Sequence, residues 1–276
     1  MYAAAISRSN PACIILLVDQ SASMGDPLGD PDEFGRVRFK SDLVAEVVND
    51  MLYELCIRCA KARGTEDYFE VAVVGYGSHV SSAFAGHLEG MDLVPISSIA
   101  AHPFRIEEHV ERLGDAAMPR RVPIWVQPKA DGGTRMCLAL QFAASLAQRF
   151  IRLHPDSFPP IVLNVTDGDA TDGDPMDAAA AVTGLGGRDG AALLFNLHLG
   201  SSAAQSRVFP DREDRLPDSA ARSLFRASSV LPSPMRVLAS ASGFDVDDRS
   251  RGFAYNADLV TLVKFLDIGT RALDLR

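Results

Sequence analysis

The sequence predicts an α/β protein: a doubly wound, mostly parallel, Rossmann-like central sheet with helices on both faces. Three observations predict it. Short apolar runs bounded by polar turn residues recur at 14–18, 69–76, 160–166 and 191–199. Such runs read as strands buried on both faces. Long segments of helical spacing, 40–60 and 134–153, lie between them, and strands alternating with helices imply right-handed crossovers. Two of the runs end in a carboxylate, Asp19 and Asp167, at the strand end where open α/β sheets place their ligands.

The totals suit one soluble domain over residues 1–276, with 47% hydrophobic and 23% charged residues. The core strands are expected within 12–200, with an insertion at 78–128, and a strand and helices in 201–276 completing the domain. A net charge of −9 argues against nucleic acid and anionic membrane surfaces as partners. No apolar run approaches the length that spans a bilayer. The segment 1–11 does not read as a signal peptide. Cys13, Cys56, Cys59 and Cys137 lack a second Cys-x-x-Cys or a His pair. Buried reduced thiols in a cytoplasmic protein are expected.

Taken in order, the first strand runs into Asp19-Gln20-Ser21-Ala22-Ser23-Met24-Gly25. One Asp and two Ser on a tight loop offer hard oxygen ligands with a single negative charge, which suits Mg²⁺. Residues 26–38 have loop composition. The helix over 40–60 carries Leu43, Val44, Val47, Val48, Met51, Leu52 and Leu55 on a wide apolar face. After the strand 69–76, residues 80–84 read as a short edge strand. Ile106, Val110 and Leu113 predict a short amphipathic helix, and 120–126 an edge strand or extended arm. This long insertion is a candidate partner surface, and Trp125 within it is expected to pack, the alternative being an exposed interface anchor.

Gly132 and Gly133 allow a tight turn and close approach ahead of the second long helix. Asp169, Asp172 and Asp174 read as a solvated acidic rim. Pro175 then opens a helix to residue 185. His198 reads as a satisfied core histidine in an apolar strand. Residues 220–230 and 235–242 read as helices, 251–256 as a last strand, and 259–275 as a closing amphipathic helix.

Asp19-x-Ser21-x-Ser23 after an apolar strand resembles the metal-ion-dependent adhesion site of von Willebrand factor type A (VWA) domains. That site also needs a Thr and a second Asp from separate later loops. Thr134 after Asp131-Gly132-Gly133, and Asp167 in Thr166-Asp167-Gly168, stand in the expected order. The resemblance covers most of the chain. Gln20 after the first Asp, and the later Thr-Asp-Gly, are similar to the bacterial intracellular branch that includes tellurite-resistance-associated proteins.

The resemblance implies direct coordination by Ser21 and Ser23, and by Thr134 directly or through water. It implies that Asp19 and Asp167 hold metal-bound waters or coordinate from the opposite side. The cofactor implied is Mg²⁺, with Mn²⁺ or Ca²⁺ as alternatives. The function implied is a non-catalytic adaptor whose metal takes a Glu or Asp of a protein partner. A kinase, phosphatase or AAA-type ATPase of the same multi-protein system is the partner class the resemblance adds.

An enzyme reading uses the same residues. Asp167-Gly168-Asp169-Ala170-Thr171 resembles the nucleophile loop of haloacid-dehalogenase-type phosphatases, with Asp167 as nucleophile, Asp169 as acid/base and Mg²⁺. That chemistry needs a later Lys followed by an acidic pair. Here Lys264 follows Asp247-Asp248 instead of preceding it. The acidic run after Asp167 fails the EF-hand pattern, and neither a Gly-x-Ser-x-Gly elbow nor a P-loop is present.

Overall fold

The computed structural model describes residues 1–29, 35–113, 116–200, 205–256 and 264–265. The chain enters the sheet through β1 (Ala12–Asp19) and passes a 3₁₀ turn into α1 (Lys40–Cys59). A small ribbon follows, β2 (Ala60–Lys61) and β3 (Gly64–Thr65). Next come β4 (Phe69–Tyr76), β5 (Val80–Ser82), β6 (Val94–Pro95), α2 (Ile96–Ala101), β7 (Arg105–Leu113) and β8 (Ala116–Ile124). The second half runs α3 (Met136–Leu153), β9 (Ile161–Thr166), α4 (Pro175–Thr183), β10 (Leu193–His198) and β11 (Arg207–Val208). It ends with α5 (Ser219–Ala227), α6 (Ser233–Ala241) and β12 (Phe253–Tyr255).

The main sheet is ordered β11-β12-β10-β9-β1-β4-β5, with β6 also on β4. The five central strands are parallel, while β5, β6 and β11 pair antiparallel at the margins. After β1 the chain builds outward through β4, then returns to place β9 on the other side of β1. That reversal opens a crevice at the carboxyl ends of β1 and β9, the usual ligand position of such sheets.

Burial on both faces explains the unbroken apolar run of β1. Ile14, Leu16 and Val18 belong to the core beneath α1, whereas Cys13, Ile15 and Leu17 belong to the core beneath α3, α4 and α5. The side-chain period of a strand divides one run between two layers. All four cysteines are free and buried. Burial pushes Cys56 up to about 12 and Cys59 up to about 11, so both remain neutral thiols.

Residues 106–113 correct the expectation of a helix. They lie in β7 and pair antiparallel with β8 from Arg105↔Ile124 to Leu113↔Ala116. The spacing of Ile106, Val110 and Leu113 imitates a helix, but a complementary strand two residues further on satisfies the backbone instead. The short helix α2 and the strands β6 and β11 were not anticipated. Trp125 packs, at 1% exposure, and its indole N–H donates to Ile99 O at 2.7 Å. The expected closing helix 259–275 lies outside the described residues except at 264–265, where Phe265 is buried against Phe195 and Phe209.

Two polar devices sit inside these cores. Asn49 on α1 accepts from Trp125 N at 2.9 Å and Val126 N at 3.0 Å, and donates to Val126 O at 2.9 Å. Across the other layer, the Tyr76 hydroxyl donates to Asn164 at 2.7 Å and Asn164 donates to Asn196 at 2.9 Å. Asn196 in turn donates to Ser228 Oγ at 3.0 Å and Leu224 O at 3.2 Å. Every amide in this chain is buried and paired, as a low-dielectric interior requires.

Candidate metal centre

The crevice is where three separate loops meet. Asp19 closes β1 and is buried; its Oδ1 accepts from Ser21 N at 2.8 Å and its Oδ2 from Thr166 Oγ1 at 2.6 Å. Burial raises the Asp19 pKa, and the bonds from Ser21 and Thr166 oppose the rise. Ser21 Oγ lies 3.1 Å from Ser23 Oγ, and Ser23 Oγ donates to Asp167 Oδ1 at 2.8 Å. Asp167 Oδ2 accepts from Lys40 Nζ at 2.7 Å, and Lys40 also reaches Asp26 Oδ2 at 3.4 Å. Burial pulls the Lys40 ammonium down, but Asp167 and Asp26 together leave it raised.

Thr134 comes from the third loop, which is stitched to the first by backbone bonds. Asp131 N donates to Gln20 O at 2.6 Å, and Ala22 N donates to Gly132 O at 2.9 Å. Gly132 adopts φ +79°, where a side chain would be strained and would strike Ser78. Gly77 lies under the same seam: a Cβ there would collide with the carbonyl oxygens of Asp131 and Gln20. Thr134 itself is buried, and its carbonyl accepts from Thr171 N at 2.9 Å.

Asp19, Ser21, Ser23 and Asp167 thus form one hydrogen-bonded chain, with Thr166 joined to it at Asp19, and the loop of Thr134 packs against the loop of Ser21. Among the described residues no group of three or more His, Cys, Asp or Glu could hold a metal ion. A cation here would rest on hydroxyls beside two carboxylates. That donor set fits a hard, oxygen-seeking ion such as Mg²⁺. Among the described residues Asp19, a buried carboxylate, has no ion-pair partner of its own, so its donors alone offset its desolvation.

Sequence reasoning missed Thr166 and Lys40. Thr166 was legible in hindsight as a hydroxyl one residue before Asp167. Lys40 was not, because a loop of unread conformation precedes it. The acidic rim is partly corrected. Asp169, Asp172 and Asp174 are exposed, but Asp172 accepts from Cys137 N at 3.1 Å and Leu138 N at 3.0 Å, capping α3. Asp174 accepts from Met176 N at 3.0 Å as the N-cap of α4.

His198 is corrected too. It is buried and stacked on Tyr255 at 5.1 Å, yet its Nδ1 has no hydrogen-bond partner among the described residues. Burial lowers its pKa, against opposing pulls from Asp218, Asp167 and Asp169. A folded pKa below the unfolded value means the unfolded chain binds the extra proton. The stability contributed by neutral His198 is therefore complete above the unfolded value of about 6.5 and is lost as pH falls through the folded one. Replacing His198→Phe should make unfolding free energy, measured in urea, fall less between about pH 7.5 and about pH 5.5. Equal slopes for both proteins would clear His198 of any role in acid sensitivity.

No family model matches the sequence, and no curated relative matches it. Among solved structures, the chain is similar to the manganese-loaded TRAP protein of Plasmodium vivax, at 13% identity over 94% of this chain and 72% of that one, TM-score 0.41. It is similar to the PilB minor pilin of Streptococcus sanguinis, at 13% identity over 95% of this chain and 61% of that one, TM-score 0.41. The ArnB paralog VWA2 of Sulfolobus acidocaldarius is matched at 11% identity over 70% of this chain and 36% of that one, TM-score 0.34. The chain therefore spans well under two thirds of the length of some of the structures it matches. Among the described residues no helix is long and apolar enough to cross a membrane.

Proposed function

We propose that this chain is a VWA-type module that binds protein partners through a divalent cation and performs no catalysis. The single observation that carries the reading is the convergence of the Asp19, Thr134 and Asp167 loops at the β1–β9 crevice, with Ser23 bridging Ser21 and Asp167. Asp19, Ser21, Ser23, Thr134 and Asp167 would hold the ion. When bound, Mg²⁺ supplies a positive centre that attracts an anionic oxygen. The neutral hydroxyls of Ser21, Ser23 and Thr134 would be the direct ligands, and Asp19 and Asp167 would act through bound water, so no carboxylate of this chain would sit on the ion and its pull on an outside anion would persist. A Glu or Asp of the partner is the group that answers it.

Both oxygens of Asp167 are engaged, by Ser23 and by Lys40, which supports positioning over nucleophilic attack. The four buried thiols suit a reducing compartment, and the reading extends to a bacterial cytoplasmic adaptor of the tellurite-resistance-associated kind. Calorimetry with Mg²⁺ tests the site directly. Wild type should bind one ion, and Ser21→Ala should weaken binding by about tenfold or more, equivalent to about 1.4 kcal/mol. Pull-down of a partner should disappear in EDTA. Steady aryl-phosphate hydrolysis that survives Ser21→Ala but not Asp167→Asn would replace this reading with the phosphatase.

A further inference from the structure

We propose that Lys40 is a built-in competitor for the metal: its ammonium holds Asp167 in the metal-free protein, so the divalent ion binds only by displacing it. The inference rests on the metal reading above and assigns how that same site is regulated.

The geometry carries it. The Asp167 side chain is 1% exposed, and that of Lys40 is 17% exposed. Their 2.7 Å contact is therefore sheltered from salt, which screens a pair of this kind far less than a surface pair. With Ser23 on Oδ1 and Lys40 on Oδ2, neither carboxylate oxygen is left without a donor. Lys40 opens α1, with its backbone N–H bonded to Asp26 O at 3.2 Å, so the start of its side chain is fixed close to the site. An ammonium and a divalent cation cannot share one buried carboxylate without strong repulsion. Asp26, 62% exposed and already 3.4 Å from Nζ, offers the displaced ammonium a wet acceptor. The cleft lined by Lys40, Asp26, Asp167, His198 and Asp218, about 640 Å³, gives it room to move.

The consequence is a site of deliberately modest affinity whose metal-free form is not left with a bare buried charge. Removing one partner of a buried pair strands the other. Lys40→Met should therefore melt lower than wild type in EDTA, and Mg²⁺ should raise its melting temperature by more than it raises that of wild type. Calorimetric Mg²⁺ affinity should increase about tenfold as the competing charge is removed. Ser21→Ala in either background should abolish the gain. If Lys40→Met does not fold, Lys40→Gln keeps a donor to Asp167 without the charge and should show the same increase.

Mg²⁺ affinity that is unchanged or weaker in both Lys40 variants would overturn the competition while leaving the metal site standing. Absence of Mg²⁺ binding in wild type and variants alike would overturn the metal reading, and this inference with it. A drop in melting temperature in EDTA would then mark Lys40 as a structural counter-ion alone.

Discussion

Gly77→Ala should cost about 3 kcal/mol of stability, the upper part of the usual range for overpacking, and should take Mg²⁺ binding with it. A Cβ at this position meets the backbone carbonyl oxygens of Asp131 and Gln20, so no rotamer change relieves the collision. The seam must open instead. Ser78 N donates to Asp131 O at 3.0 Å and Asp131 N donates to Gln20 O at 2.6 Å. Parting these strands of backbone separates the loop of Thr134 from the loop of Ser21. Urea unfolding measures the first effect and calorimetry the second. A variant of wild-type stability that still binds Mg²⁺ would show that the two loops need not touch.

Asn49→Leu is the second large effect, and it acts far from the crevice. The substitution keeps the branched shape of the side chain and makes it apolar like its buried neighbours on α1. It removes the partners of Trp125 N, Val126 N and Val126 O, all in a segment that belongs to no strand. Each buried group left unpaired costs about 1–3 kcal/mol, so a total of about 3 kcal/mol or more is expected in equilibrium unfolding. Trp125 fluorescence should report loosening of the same segment. Asn49→Asp keeps the acceptor but sets a buried carboxylate oxygen against Val126 O, and a loss at least as large is expected for it at neutral pH. A loss within about 0.5 kcal/mol for Asn49→Leu, the range of ordinary surface changes, would mean water replaces the amide.

The parallel strands and long helices were legible because their signal is local: β1, β4, β9 and β10 are apolar runs of strand length, and α1 and α3 carry helical spacing. The Asp19 and Asp167 loops were legible because each follows such a run. The segment 105–124 was not. Ile106, Val110 and Leu113 fit a helix on spacing alone, and only the partner strand 116–124 decides otherwise. Lys40 and Asn49 escaped for a related reason. Their roles depend on Asp167, 127 positions away, and on Trp125, 76 positions away, separations that periodicity cannot see. The acidic run after Asp167 was read as a patch of charge, because capping depends on which amides end up within reach.

The amide chain from Tyr76 to Ser228 has a bearing on folding fidelity. A slip of β9 by one residue would turn its apolar side chains to the wrong layers and is forbidden on that ground. A slip by two residues keeps every layer assignment intact and would pass unnoticed by hydrophobicity. It would, however, carry Asn164 away from Asn196, its direct neighbour across the β9–β10 ladder, and leave the Asn164 N–H and the Asn196 Oδ1 without each other in the core. The pair thus proofreads the alignment of the strand that delivers Asp167 to the crevice.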